Sequence, residues 1–126
     1  MDAAIRVLVV EDDPDVALYT KTVLQRDGAE VLTLPDGREA ARAVAEFDPD
    51  VLVTDIELPG MSGLDLIAQA RDTKSGLAVI VMTAHASVDY AITALRNQAD
   101  EFLTKPVTAA ALTGHVRRLA AQARQA

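Results

Sequence analysis

The chain has 126 residues and a formal net charge of −7; half of it is hydrophobic, with two Phe, two Tyr, no Trp and no Cys. That length supports one domain with a real core, necessarily aliphatic, and the missing Cys excludes disulfides and zinc–thiolate centres. The acidic balance repels a phosphate backbone, and no signal peptide or membrane-length apolar run occurs, so the reading is a cytoplasmic protein that binds neither nucleic acid nor membrane.

The first predicted strand is Ile5–Val10, apolar except for Arg6. It ends in Glu11-Asp12-Asp13-Pro14, where Asp13 is a good cap for a helix over 14–27 with proline at its first position. Gly28 stands where that helix should stop. A second strand, Ala29–Leu34, leads through Asp36-Gly37 into a helix over 36–47 with Ala40, Val44 and Phe47 at helical spacing. The third strand, Val51–Thr54, runs into Asp55, and a helix follows over 63–74. The fourth, Leu77–Met82, ends at Thr83-Ala84 before a helix over 86–97. The fifth, Glu101–Leu103, is short; it leads to Lys105-Pro106 and a last helix over 108–124. Runs such as Val7–Val10 and Val79–Met82 are apolar on both faces, as parallel strands between helix layers must be. Regular alternation of strand and helix implies an α/β fold with a parallel sheet and right-handed crossovers.

In such a sheet, ligands bind beyond the carboxyl ends of the strands. Four of the five predicted strands deliver a charged or hydroxyl residue there: Glu11 and Asp12, Asp55, Thr83, and Lys105. Two carboxylates about 4 Å apart at an effective dielectric near 20 repel by about 4 kcal/mol, so a site with three acids needs a cation or a raised pKa. All-oxygen donors without His or Cys favour a hard ion such as Mg²⁺. A lysine can neutralise a phosphoryl group, a hydroxyl can bond its oxygens, and an aspartate can itself be the nucleophile. These parts suit phosphoryl transfer to Asp55.

Four segments taken in order, Val9-Val10-Glu11-Asp12-Asp13-Pro14, Asp55-Ile56-Glu57-Leu58-Pro59-Gly60-Met61-Ser62-Gly63, Met82-Thr83-Ala84 and Phe102-Leu103-Thr104-Lys105-Pro106, resemble the receiver domains of two-component response regulators. The resemblance spans essentially the whole chain, 1–126. It implies a doubly wound five-stranded parallel sheet of order 2-1-3-4-5 with five helices, flavodoxin-like as in chemotaxis regulators. It implies a signalling switch, not an enzyme beyond its own phosphorylation and dephosphorylation, with Asp55 as phosphoacceptor. Asp12 would ligate Mg²⁺ directly, Glu11 through water, Asp55 by its side chain and Glu57 by its backbone carbonyl. Thr83 and Lys105 would bind the phosphoryl group, and Thr83 and Phe102 would form the switch. Phe102 as an ordinary core residue is a compatible reading. Glu57 and His85 stand where relatives tune phosphoryl loss, though two surface loop residues explain them equally well. Asp13 takes no metal role.

The resemblance also implies a cis bond before Pro106. Its partners would be a histidine kinase or histidine phosphotransfer domain, docking on surplus apolar residues among Val16, Leu18, Tyr19, Val23 and Leu24 of the first helix. A homodimer would form through the fourth helix, fifth strand and last helix, a face expected to carry Arg96, Glu101 and Arg117. Gln98-Ala99 departs from the glycine common before the fifth strand. The chain reads either as a complete single-domain regulator or as the amino-terminal receiver of a longer protein.

Two rivals fit less well. A haloacid dehalogenase-like phosphohydrolase would place its acidic motif after the first strand and need a longer chain. A flavodoxin would cradle a phosphate in its first loop, which here is Glu-Asp-Asp-Pro-Asp.

Overall fold

The computed structural model describes residues 3–85, 92, 93, 96 and 98–125. Five parallel strands, β1 (Arg6–Val10), β2 (Glu30–Leu34), β3 (Val51–Thr54), β4 (Ala78–Thr83) and β5 (Glu101–Thr104), form one sheet in the order β2-β1-β3-β4-β5. Around it lie α1 (Pro14–Arg26), α2 (Gly37–Phe47), α3 (Gly63–Thr73) and a C-terminal helix, Ala109–Gln125. The helix expected over 86–97 lies mostly outside the described residues; Ile92, Thr93 and Arg96 are described, and they are helical.

The period-2 alternation of the central strands sorts their side chains into two cores. Val7, Val9, Val51, Val53, Ile80 and Met82 pack with Leu24 of α1 and with Leu112, Val116 and Leu119 of the C-terminal helix. Leu8, Val10, Leu52, Val79 and Val81 face the other way, onto Ala40 and Val44 of α2 and Leu66, Ile67 and Ala70 of α3. The central strands β1, β3 and β4 are therefore apolar on both faces because each face meets a helix layer.

The helix ends follow their local chemistry. Asp13 accepts from the N–H groups of Asp15 (2.9 Å) and Val16 (3.3 Å), with Pro14 next in the chain. Asp36 caps α2 through Arg38 N and Glu39 N, and Ser62 caps α3 through Asp65 N. Helix α1 closes with Gly28 N–H on Gln25 and Ala29 N–H on Leu24. Strand β4 sits one residue later than expected: Leu77 N–H turns back to Lys74, while Thr83 still pairs with Thr104.

At the amino-terminal edge of the sheet, Asp50 accepts from Arg6 N–H at 2.9 Å and from Arg124 of the C-terminal helix at 2.9 Å. Arg124 also donates to the carbonyls of Ala3 and Ala4. Burial alone would raise the Asp50 pKa, but the bonds from Arg124 and Arg6 outweigh it and hold the carboxyl below its ordinary value. Among the described residues, no helix is long and apolar enough to cross a membrane.

Candidate phosphoacceptor site

The site forms where β1, β3 and β5 end together. Beyond β1, Glu11 donates its N–H to Leu34 at the end of β2, which fixes its side chain at the sheet's carboxyl edge; the residue is only 4% exposed. Beyond β3, Asp55 donates its N–H to Val10, so the two acids leave adjacent strands side by side. Beyond β5, Lys105 donates its N–H to the Thr83 carbonyl, and the Lys105–Pro106 bond is cis.

The Lys105 ammonium bridges the two acids, donating to Asp55 Oδ2 at 2.8 Å and to Glu11 Oε1. Burial pushes the Glu11 carboxyl above its ordinary pKa, although Lys105 pulls the other way. Burial alone would depress the Lys105 ammonium, but Asp55 and Glu11 outweigh it and raise its pKa. Asp55 Oδ1 accepts from Ile56 N–H at 2.6 Å, so both of its oxygens are engaged.

Thr83 is fully buried, and its Oγ1 accepts from His85 N–H at 3.1 Å, which leaves the hydroxyl hydrogen to be donated. Phe102 is half-buried and packs against the core on the α2–α3 side, with the Arg96 guanidinium 5.9 Å from its ring centre. Asp12 is exposed next to Glu11. Glu57 and His85 are exposed too, with Glu57 Oε2 and His85 Nε2 3.8 Å apart, so these two loops meet across the mouth of the site.

Two residues that sequence reasoning passed over also hold the site. Buried Thr54 donates its hydroxyl to the Asp55 carbonyl at 2.9 Å. A polar residue closing an apolar strand was the signal for it. Gly63 donates its N–H to Ile56 at 2.8 Å, and a Cβ there would collide with the Asp55 carbonyl and, at 2.9 Å, with the Ile56 Cα. Gly60, at φ 81°, turns the loop against Asp36, whose carboxylate a Cβ would meet at 2.6 Å.

The face expected to carry Arg96, Glu101 and Arg117 differs from expectation at one residue. Arg117 reaches away from β5 to Asp27 at the end of α1 (2.7 Å), because it lies on the side of the C-terminal helix that packs on α1. Arg118 instead takes the place beside β5, 3.1 Å from Glu101, with His115 also against Glu101.

As to a metal, the carboxylates of Glu11, Asp12 and Asp55 offer oxygen donors at this edge, and two of them share one ammonium. That balance fits a hard divalent cation. Among the described residues, no three acidic or imidazole side chains close on one point, so such an ion would need backbone carbonyl and water oxygens as well, as Mg²⁺ tolerates.

A doubly wound parallel sheet with two acids and a lysine at its carboxyl edge is an arrangement of signalling receiver domains. The model of the response regulator receiver domain matches residues 7–117, and the chain belongs to that family. It is 38% identical to the C4-dicarboxylate transport transcriptional regulatory protein DctD of Pseudomonas aeruginosa over 93% of this chain and 25% of DctD. It is 39% identical to the transcriptional regulatory protein PrrA of Mycobacterium tuberculosis over 90% of this chain and 49% of PrrA. The chain thus spans between a quarter and a half of these curated relatives. Among solved structures, a receiver domain from Clostridium thermocellum superposes with a TM-score of 0.87 at 32% identity, covering 96% of this chain and 98% of that one. A CheY-like receiver from Methanospirillum hungatei gives 0.88 at 27% identity, covering 98% and 100%.

Proposed function

We propose that this receiver takes a phosphoryl group onto Asp55 from a phosphohistidine of a histidine kinase or phosphotransfer domain, and that the modification drives a change on the face of β5 and the flanking helices. The observation that carries this reading is the Lys105 ammonium set between Glu11 and Asp55. An Asp55 carboxylate oxygen attacks phosphorus, the O–P bond forms as the N–P bond breaks, and the electron pair returns to the imidazole, which keeps or gains a proton from solvent. Lys105 meets the charge on the phosphoryl oxygens, and Thr83 has a hydroxyl hydrogen to offer them. Asp12, Asp55 and the Glu57 carbonyl would hold Mg²⁺, with Glu11 acting through water. When bound, the ion would neutralise negative charge on the carboxylates and the phosphoryl group.

Leu18 (64% exposed) and Tyr19 (47% exposed) are the large apolar side chains that α1 leaves uncovered, which supports docking of the phosphodonor there. The polar character of Arg96, Glu101 and Arg118 supports a modest, salt-sensitive homodimer across the output face. Residues 1–126 would act as one cytoplasmic receiver unit that contacts neither DNA nor membrane itself; its output passes to a partner or an effector segment. Glu57 and His85 would set the rate of phosphoryl loss.

The test is intact mass after incubation with acetyl phosphate and Mg²⁺. One added phosphoryl group is expected, and Asp55→Asn should remove it. Full modification of that variant overturns the assignment.

A further inference from the structure

A second surface carries chemistry that the phosphoacceptor site does not use. On α2, Arg38 and Arg42 stand four residues apart, both exposed, and line a groove of about 280 Å³ with Ala41, Met61 and the neutral Gln69 of α3. Neither guanidinium forms an ion pair among the described residues, a condition they share with Lys21, Arg26 and Arg96, but these two alone line one groove together. Glu39 and Glu46 stand three residues before and four after Arg42 on the same helix and offset the repulsion between the two arginines, yet neither pairs with a guanidinium, and the groove lining itself holds no acid.

The floor of the groove is tied to the acceptor loop. Met61 belongs to the segment that follows Asp55, and Gly37 at the start of α2 donates its N–H to the Pro59 carbonyl at 3.0 Å. A Cβ on Gly37 would meet the Met61 carbonyl oxygen at 2.5 Å, so α2 and this loop are in direct backbone contact.

We propose that the α2–α3 groove binds an acidic segment of a partner protein, its carboxylates paired with Arg38 and Arg42 and an apolar side chain set on Met61 and Ala41. Charge complementarity selects the occupant: two free guanidiniums flank a small apolar floor, a pattern that fits carboxylates spaced around a hydrophobic residue. Through Met61, such a partner would bear on the loop of Asp55 from outside. The inference rests on none of the phosphoryl chemistry.

The experiment uses the unphosphorylated, metal-free chain, so that its outcome is separate from the fate of the phosphoacceptor reading. The probe is a peptide of repeated Glu-Glu-Leu, titrated while the Arg38 and Arg42 Nε–H and Met61 methyl resonances are followed. Saturable shifts at all three are expected, and Arg38→Gln with Arg42→Gln should weaken binding about tenfold, two exposed guanidiniums having been removed. Both residues are exposed and form no ion pair among the described residues, so the fold survives their replacement. Absence of shifts, or equal binding by the double variant, overturns the proposal. So does equal binding of polyglutamate or inorganic triphosphate, which would mean a bare anion site. Self-association of the native chain that the double variant abolishes would make a second copy the occupant and overturn it too.

Discussion

Lys105 Nζ lies 2.8 Å from Asp55 Oδ2 and also bonds Glu11, so one ammonium balances two acids that leave neighbouring strands. The side chains are only 16%, 11% and 2% exposed, in the order Lys105, Asp55, Glu11, so solvent screens them weakly. Replacing Lys105 with Met should cost about 3 kcal/mol in urea unfolding at neutral pH, as removal of one partner from a buried pair does. Glu11→Gln in that background should recover part of the loss. An undiminished midpoint in the single variant would show that the ammonium does not offset the acids.

The acid cluster has a register that mutation can read. Asp13→Ala should lower stability by about 1 kcal/mol, because Asp13 caps α1 through two N–H groups. Asp12→Ala, at an exposed position, should leave stability nearly unchanged but sharply weaken Mg²⁺ binding. Thermal melts and metal titrations of the pair distinguish the two roles; the reverse pattern would place the ligand one residue later.

The Asp50–Arg124 contact sets an acid limit. Asp50 has a folded-state pKa below its unfolded value, so the native state binds fewer protons as the group titrates. Its stabilisation is fully present above the unfolded pKa and fades as pH falls through the folded one. Arg124→Gln should therefore cost about 1 kcal/mol at pH 7, after discounting for the partly exposed guanidinium, and less once Asp50 is protonated, when only the bonds to the Ala3 and Ala4 carbonyls are left to lose. Unfolding midpoints across acidic pH would show the two curves converging.

Beryllofluoride, a phosphoryl mimic, should shift amide resonances from Thr83 through Lys105 and along the C-terminal helix. Thr83, whose Oγ1 accepts from His85 N–H, would donate its hydroxyl hydrogen to a fluorine of the mimic. Phe102, half-buried between the core and Arg96, is placed to follow. Shifts confined to the loops around Asp55 would mean that this relay does not operate, since a ligand moves an equilibrium only by its differential affinity for the two states.

Most of the architecture was legible because the signals were local. Two-faced apolar runs such as Val7–Val10 report strands sandwiched between helix layers, and Asp13-Pro14 and Asp36-Gly37 mark helix starts by their own hydrogen bonding. Placement of Glu11, Asp55 and Lys105 at one edge followed from parallel topology alone. What stayed hidden depends on rotation about an axis. Arg117 and Arg118 are neighbours in sequence, but one turns to Asp27 and the other to Glu101, a choice made by how the C-terminal helix packs. Thr54 was hidden for a different reason: its hydroxyl serves the very next residue's carbonyl, a bond invisible to strand periodicity.

Arg124 grips the carbonyls of Ala3 and Ala4, so the first and last described turns of the chain lie within one side chain's reach. They meet at the edge of the sheet opposite Asp55. A short glycine–serine bridge could join them, and the chain could be reopened at the exposed Ser75-Gly76 turn without cutting a strand or helix. The domain would then be a circular permutant whose new amino end leads directly into β4, a layout in which a reporter fused there hangs from the strand that carries Thr83.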